Sequence, residues 1–507
     1  MDGTMNRHLS DFLKEWAEKE PVRFHMPGHK GARLYEKYGY DDFLHNALSH
    51  DITEIPGADD LYQPQGVLAD LSRRYRKLYR CRASYPLVNG SSCGLIAAVL
   101  ASTERGAGVV LARNCHKSVY NGVELAGAEA VYAYPDILPD WNVSGSVRAE
   151  EIESALDQCP GAAAVVVTSP NYYGIQSDIA SIAETVHRHH AVLIVDQAHG
   201  AHLPFFQQMK ERGEPVEFSC RSAEEQGADI VISSLHKTMV SLGQTALLNV
   251  CSDRVCLDDL EQALQKTETS SPSYLLMESM DINADILEKH GAECIHEWNA
   301  QIRRFYRDAA SVPGLEVMRE PMQDQTKLNI SMRSLGLDAA ALQDELIRFG
   351  VWPEFACGDI VMCLTGMGSV WADEEKLLQA LKAISEQYSV HAGSIRAEKS
   401  VRGKQTEMYN TGSCIQDVSK KEQQGDFFRL GKAEHGKARK KVPIQDAAGR
   451  VCAAPLIPYP PGIPTICTGE IFTDEAIQFL INRKKRGGEI QGMDSDERVF
   501  VFEGVKY

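Results

Sequence analysis

Between residues 84 and 250 the chain alternates between two hydrophobic rhythms. Short unbroken apolar runs suit strands buried on both faces. Between them, apolar residues recur every three or four positions, the spacing of one helix face. "SYPLVN" predicts a strand and "SCGLIAAVLAST" a helix, then "AGVVLAR" a strand and "KSVYNGVELAGA" a helix. "AVYAYP" and "AAAVVVTS" predict strands around the helix "RAEEIESALDQC". The helix "DIASIAETVHRHH" is followed by strands at "AVLIVDQAH" and "DIVISS", and another apolar run, Ala246–Val250, comes soon after. Strands alternating with helices predict a mainly parallel sheet in a doubly wound α/β domain, a fold that binds ligands beyond the carboxyl ends of its strands.

A long helical pattern from Ser273 to Ala309 leads into a shorter αβ region, 313–392. There "LDAAALQDELIRFG" is an amphipathic helix stopped by Gly350, and "EEKLLQALKAISEQY" is another. Residues 393–440 turn charged and polar and predict a partly irregular connector. Order returns in 441–507, with the proline–glycine loop "YPPGIPTICTGE" and the helix "TDEAIQFLINRKKRG". The expected organisation is an N-terminal arm (1–60), a large domain (61–312), a small α/β domain (313–392), the connector and a C-terminal domain.

Composition narrows the function. A length of 507 residues predicts two to four domains, and 43% hydrophobic with 24% charged residues is the make-up of a soluble globular protein. No apolar run approaches the roughly 20 residues of a membrane span. "MDGTMNRHLSDFLKEW" lacks a basic segment followed by an apolar one, so no signal peptide is expected and a cytoplasmic location is. The 13 cysteines are scattered, without a CxxC pair or a Cys/His ladder, so neither a disulfide framework nor a metal site is expected. A net charge of −17 disfavours nucleic acid as a partner. It serves solubility and would also suit a cationic ligand.

The unusual residues stand at the predicted strand ends. Lys237 follows "DIVISS", where a charged amine is costly to bury. It either snorkels to the surface or forms a Schiff base with an aldehyde cofactor. Asp196 ends "AVLIVD", as a loop cap, a metal ligand, or the partner that keeps a pyridine nitrogen protonated. Ala198 beyond it is small enough for a flat ring to lie against. In "LVNGSSCGLIAA", Ser91 and Ser92 open a helix, as an ordinary cap or as donors to a phosphate. Ser234 and His236 could reach the same phosphate from the other side. His116 begins a helix in "RNCHKSVYNG", as a cap, a surface residue or a ring stacked on the cofactor. Each signal is weak alone; together, in this order, they describe a cofactor site.

These segments, with "FHMPGHKG" (24–31), "DITEIPGADDLYQPQG" (51–66) and the tail "YPPGIP", resemble the bacterial ornithine/lysine/arginine decarboxylases. That family is the aspartate-aminotransferase-fold (fold type I) branch of pyridoxal 5'-phosphate enzymes. The likeness is to its shorter members, without a receiver-like wing domain. The resemblance implies an α/β large domain with smaller α+β domains at the C-terminal end. It implies Lys237 as the Schiff-base lysine, His116 stacked on the cofactor ring, Asp196 on the pyridine nitrogen and Ala198 beneath the ring. Ser91, Ser92, Ser234 and His236 become phosphate contacts, and Lys237 or His199 the group that returns a proton to the substrate carbon. The implied reaction turns a basic L-amino acid, with arginine or lysine favoured over ornithine, into an amine and CO2. It consumes one proton and serves polyamine synthesis or acid resistance, with the missing wing domain favouring synthesis.

The resemblance also implies a homodimer or higher homo-oligomer with shared sites, Ser270 or Ser271 touching the neighbour's cofactor. Asp59, Asp60 and Glu354 are candidates for the substrate's distal cation, and equally for structural acids. His25 and His29 are either structural or line the site entrance. Gln197 stands where the family commonly has glutamate, and Ser92 where threonine is frequent. An aminotransferase, aldolase or β-eliminating lyase of the same fold would share Asp196 and Lys237, but would not account for the His-Lys pair together with "YPPGIP". A non-catalytic protein on this fold would have no need of Lys237, Asp196 and His116.

Overall fold

Seven apolar runs hydrogen-bond into one sheet in the computed structural model, which describes residues 8–399, 438–459, 462–485 and 488–506. They are β1 (Ala83–Leu87), β2 (Gly108–Ala112), β3 (Glu129–Ala133), β4 (Ala164–Thr168), β5 (Val192–Asp196), β6 (Ile230–Ser234) and β7 (Ala246–Val250). Their spatial order is β1-β7-β6-β5-β4-β2-β3. All neighbours from β6 to β3 are parallel, as the alternating pattern predicts. Only β7 runs antiparallel, to both β6 and β1. Its link to β6, residues 235–245, is shorter than the dozen or so residues a parallel crossover needs. Lys237 lies in that tight link.

The sheet interior is closed to solvent. Val165–Val167, Leu193–Val195 and Ile230–Ile232 expose no surface. Helices α1 (Gly90–Ser102) and α2 (Lys117–Ala126) pack together beside it, each directly following a strand end. The long helix α3 (Tyr274–Ala309) starts at Ser273, whose hydroxyl accepts from the Leu276 amide, and buries Trp298 against the core.

The following region holds an antiparallel sheet of β8 (Glu316–Val317), β9 (Lys327–Ser331), β10 (Phe355–Cys357) and β11 (Ile360–Leu364), in spatial order β8-β9-β11-β10. The helix Ala339–Arg348 gives way to Gly350, whose φ of +74° is a left-handed conformation glycine adopts freely. Helix α4 (Trp371–Lys399) continues into the segment expected as connector, and residues 400–437 lie outside the described residues. Toward the C-terminus, Arg439–Pro443, Arg450–Cys452 and Arg498–Lys506 form a three-stranded antiparallel sheet under α5 (Asp474–Lys485). It has its own core, including Leu456, Phe472, Leu480 and Val499.

The arm motif "FHMPGHKG" is wedged between these parts. The Gly28 amide donates to the His236 carbonyl at 2.8 Å, the Gly368 amide to the Gly28 carbonyl at 3.0 Å, and the Met367 amide to the Thr238 carbonyl at 2.8 Å. A Cβ on Gly28 would lie 2.6 Å from the Met239 carbonyl oxygen, so only glycine fits there. The backbone on either side of Lys237 is thus held by the arm and by Met367, in the loop before α4. Among the described residues no helix is long and apolar enough to cross a membrane.

Candidate active site

The carboxyl ends of β4, β5 and β6 open on a cavity of about 330 Å3. Ser91, Ser92, His116, Asp196, Ala198, His199, His236 and Lys237 all line it. Ser234 does not; its hydroxyl donates to that of Ser91 at 2.9 Å and so reaches the cavity at one remove. The residues singled out in the sequence are therefore brought to one place, although they span residues 91–237 of the chain.

The amine of Lys237 meets Nε2 of His199 at 2.9 Å. Burial lowers its pKa from the ordinary lysine value to about 8, with Asp196 and Glu354 opposing and Lys327 adding to the drop. A neutral, nucleophilic fraction is therefore present near neutral pH. His199 is buried, and burial plus the neighbouring Lys237 hold its pKa well below the usual histidine range. Its Nδ1 has no hydrogen-bond partner among the described residues, and its ring meets the edge of Tyr172 at 4.5 Å between centroids.

Asp196 is buried, with Oδ1 accepting from the Ala198 amide at 3.1 Å. Burial raises its pKa against the pull of Lys237. A carboxylate so placed favours a cationic group facing it across the cavity. His116 caps α2, accepting from the Ser118 amide. Burial and then Lys237 lower its pKa to about 3, so its ring is neutral.

An anion cradle lies at the other end. Gly90, with φ of +79°, turns the chain sharply from β1 into α1. The Asn89 side chain makes no cap there; it donates instead to the Thr267 carbonyl. The first turn of α1, carrying Ser91 and Ser92, therefore presents N–H groups and hydroxyls without a side-chain cap. His236 faces the same region, its Nδ1 3.0 Å from the Thr245 carbonyl oxygen; burial lowers its pKa to about 4.

Other sequence candidates fall differently. Asp59 accepts from the amides of Gln65, Gly66 and Leu68 and fixes the start of the helix Val67–Leu78, and Asp60 accepts from the Tyr62 amide. Neither lines the cavity. Glu354 is bound between the Met26 amide at 2.8 Å and the Tyr172 hydroxyl at 3.0 Å, and both of those residues do line it. His25 and His29 hydrogen-bond to backbone carbonyls of their own loop, outside the lining. Ser270 and Ser271 are exposed and lie away from the cavity. Gln197 donates to buried Glu224 at 2.9 Å and accepts from the Ala223 amide. A glutamate at 197 would set two carboxylates against each other there, which accounts for the departure noted in the sequence.

Sequence reasoning missed Arg113 and Glu470. Arg113, immediately after β2, is buried and donates to the carbonyls of Pro464 and Thr465 and to Glu470 at 3.2 Å. It fastens Pro464 and Thr465 beside the cavity. The Lys117 amide donates to the Gly462 carbonyl, and a Cβ on Gly462 would come 3.1 Å from the His116 ring. Tyr459, Ile463, Thr465 and Arg483 supply this wall of the cavity. The signal for Arg113 was available: a charge directly after the unbroken apolar run Val109–Ala112.

Comparison with known proteins gives a consistent result. The family model for the Orn/Lys/Arg decarboxylase major domain matches residues 8–327, and that for the C-terminal domain of the same enzymes matches 428–497. The chain is 29% identical over 493 residues to the arginine decarboxylase of Bacillus subtilis (strain 168), covering 95% of this chain and 94% of that protein. It is 30% identical over 497 residues to the protein YaaO of the same organism, covering 96% of each. The crystal structure of the Francisella novicida lysine decarboxylase LdcF superposes with a TM-score of 0.71 at 19% identity, covering 94% of this chain and 78% of that one. That likeness bears on the fold.

Two outcomes follow from the geometry. Competitive acetylation of the protein, read by mass spectrometry, is expected to give a titration midpoint near 8 for Lys237. Burial favours the neutral amine, so reactivity should rise with pH through 8 and then level off; a midpoint at the ordinary lysine value would contradict the enclosure. Glu470→Gln leaves Arg113 buried and charged without a counter-ion. It is expected to cost about 3–5 kcal/mol in urea unfolding, and a loss below about 0.5 kcal/mol would show that the pair does not hold the tail.

Proposed function

Because this chain belongs to the Orn/Lys/Arg decarboxylase family, we propose that it decarboxylates a basic L-amino acid, arginine first among them, with pyridoxal 5'-phosphate held on Lys237. Decarboxylation of a basic amino acid is the family's reaction class. Arginine leads because the Bacillus subtilis relative that nearly matches this chain in length is named an arginine decarboxylase. The observation that carries the reading is convergence on one cavity of an amine, a buried carboxylate and an uncapped helix start.

The residues fit the cofactor. Buried Asp196 suits the proton-bearing pyridine nitrogen. The start of α1 with Ser91 and Ser92, and Ser234 and His236 across from it, suits the phosphate. Neutral His116 and small Ala198 suit the two faces of the ring. Bound there, pyridoxal phosphate supplies an aldehyde for an amine and a protonated ring that accepts the electron pair left when CO2 departs.

The chain's own groups do the rest. Lys237, with a pKa near 8, holds or releases a proton at Nζ at little cost. His199 Nε2, 2.9 Å away and held neutral by its burial, is a hydrogen-bond partner that orients that amine. Glu354 behind Tyr172 provides negative charge beside the cavity for the substrate's distal cation. The tail pinned by Arg113 and Glu470 packs Gly462 against the His116 ring.

The assembly is a homodimer or larger. Leu48, Ile52, Ile55 and Val67, at 93%, 42%, 50% and 59% exposed, are large apolar side chains that a second subunit would cover. The segment carrying Ser270 and Ser271 is tied to the N-terminal arm, Tyr274 donating to the Asp59 carbonyl at 3.0 Å; in the proposed assembly Ser270 or Ser271 touches the neighbour's cofactor. The setting is cytoplasmic, and the amine feeds polyamine synthesis.

The test is product identification. Protein loaded with pyridoxal phosphate is given arginine, lysine and ornithine separately, and agmatine is expected as the dominant amine, with CO2. An oxo acid or a cleaved side chain would overturn the decarboxylase reading. Lys237→Ala should abolish turnover in a folded protein. Asp196→Ala should cut it by about two orders of magnitude or more, because the electron sink loses its counter-charge. A monomer by light scattering would contradict the shared assembly.

A further inference from the structure

Behind the cavity, His202, Asp324 and Lys327 expose no surface. Asp324 and Lys327 form an ion pair, and Asp324 Oδ2 also meets His202 Nε2 at 3.0 Å. Burial pushes the Asp324 carboxyl up, but Lys327 and His202 more than offset it, so the group is a firm carboxylate. The set is packed tightly. A Cβ on Gly174 would come 2.7 Å from the Asp324 carbonyl oxygen and 3.3 Å from Lys327 Cδ. Asp324 Oδ1 further accepts from the Thr326 amide at 3.0 Å.

Stability does not account for this arrangement. Desolvating two charges costs several kcal/mol per ion, and well-packed apolar residues in place of a buried pair are often neutral or stabilising. What distinguishes this pair is where its hydrogen bonds end. Lys327 Nζ donates to the His199 carbonyl at 2.5 Å. His202 Nδ1 meets Thr238 Oγ1 at 3.1 Å, and Thr238 directly follows Lys237. One set of side chains therefore holds the backbone of His199 and the side chain of Thr238, the residue next to Lys237.

We propose that Asp324, Lys327 and His202 form a positioning unit that holds His199 Nε2 against the Lys237 amine, with Lys327 as its anchor. The inference deepens the decarboxylase reading and rests on it only for turnover; the geometry stands without it. The charged and titratable groups facing Lys237 are Asp196 from β5, His199 from the loop after it, His116 at the head of α2, His236 beside it, Glu354, and Lys327 from β9. Lys327 is a like charge for Lys237, so its removal acts on that amine in a known direction.

The experiment has two readouts. In cofactor-free protein, competitive acetylation gives the midpoint of Lys237. Lys327→Met is expected to raise it by about one pH unit, since a like charge is lost. In the loaded enzyme the same substitution is expected to lower kcat on the order of tenfold, with KM changed less than about twofold, because alignment and not substrate binding is lost. A lone Asp324 charge could unfold the chain, so the second variant joins Lys327→Met to Asp324→Asn and leaves no unpaired ion. It should keep the loss in kcat and change the acetylation rate of Lys237 at pH 8 by about threefold or more. A Lys237 labelling profile superimposable on that of the unsubstituted protein, in whichever variant folds by circular dichroism, overturns the proposal. So does a kcat within about twofold of the unsubstituted enzyme. Labelling needs no substrate. If the decarboxylase reading fails, no basic amino acid is turned over while the profile still shifts; if this inference fails, the profile does not shift.

Discussion

Enclosing an amine at the end of an apolar sheet costs free energy unless a partner, a carbonyl or loss of the proton offsets it. The chain meets this constraint with three lysines in three ways. Lys30 is buried and spends its donors on the carbonyls of His25 and Leu364, at 2.6 and 2.9 Å, which ties the arm motif to β11. Lys327 is paired with Asp324. Among the described residues Lys237 has no carboxylate in hydrogen-bond contact; its partner is an imidazole that is itself held neutral. Of the three, it is the amine that opens on the cavity and is free to exchange its proton for a covalent bond.

The fold is arranged to keep that amine in place. The link between β6 and β7 is too short for a crossover, so it forms a tight antiparallel return with Lys237 near its start, just past the end of β6. Backbone contacts from Gly28 and Met367 clamp the turn, and glycine is required where the arm crosses it. The C-terminal tail closes the opposite wall through one buried ion pair on Arg113. Segments far apart in sequence thus converge on a site whose chemistry sits on strand ends, the rigid positions of an α/β fold.

Much of this was legible in the sequence because the sheet strands are buried on both faces and read as unbroken apolar runs. Asp196, Ser234 and Lys237 stood out as polar residues at the ends of such runs. The same logic applies to Lys327, which begins the apolar strand β9, and to Arg113, which follows β2; Lys327 sits in no segment that suggested a cofactor, and in "RNCHKSVYNG" the signal was carried by His116. Their partners, Asp324 and Glu470, are set by tertiary contacts that no local pattern records. Asp59 shows the converse. Its motif suggested a ligand, yet its oxygens are occupied by the backbone amides of Gln65, Gly66 and Leu68. The reversal of β7 follows from loop length, which the sequence contained and strand composition did not.

The central claim is that, among these enclosed amines, Lys237 carries the cofactor. The most direct measurement is to load the protein with pyridoxal phosphate, reduce it with borohydride, digest it and map the modified lysine by mass spectrometry. The account predicts one modified residue, Lys237, with Lys30 and Lys327 unmodified. Modification of either of those two, or of no lysine at all, would contradict it.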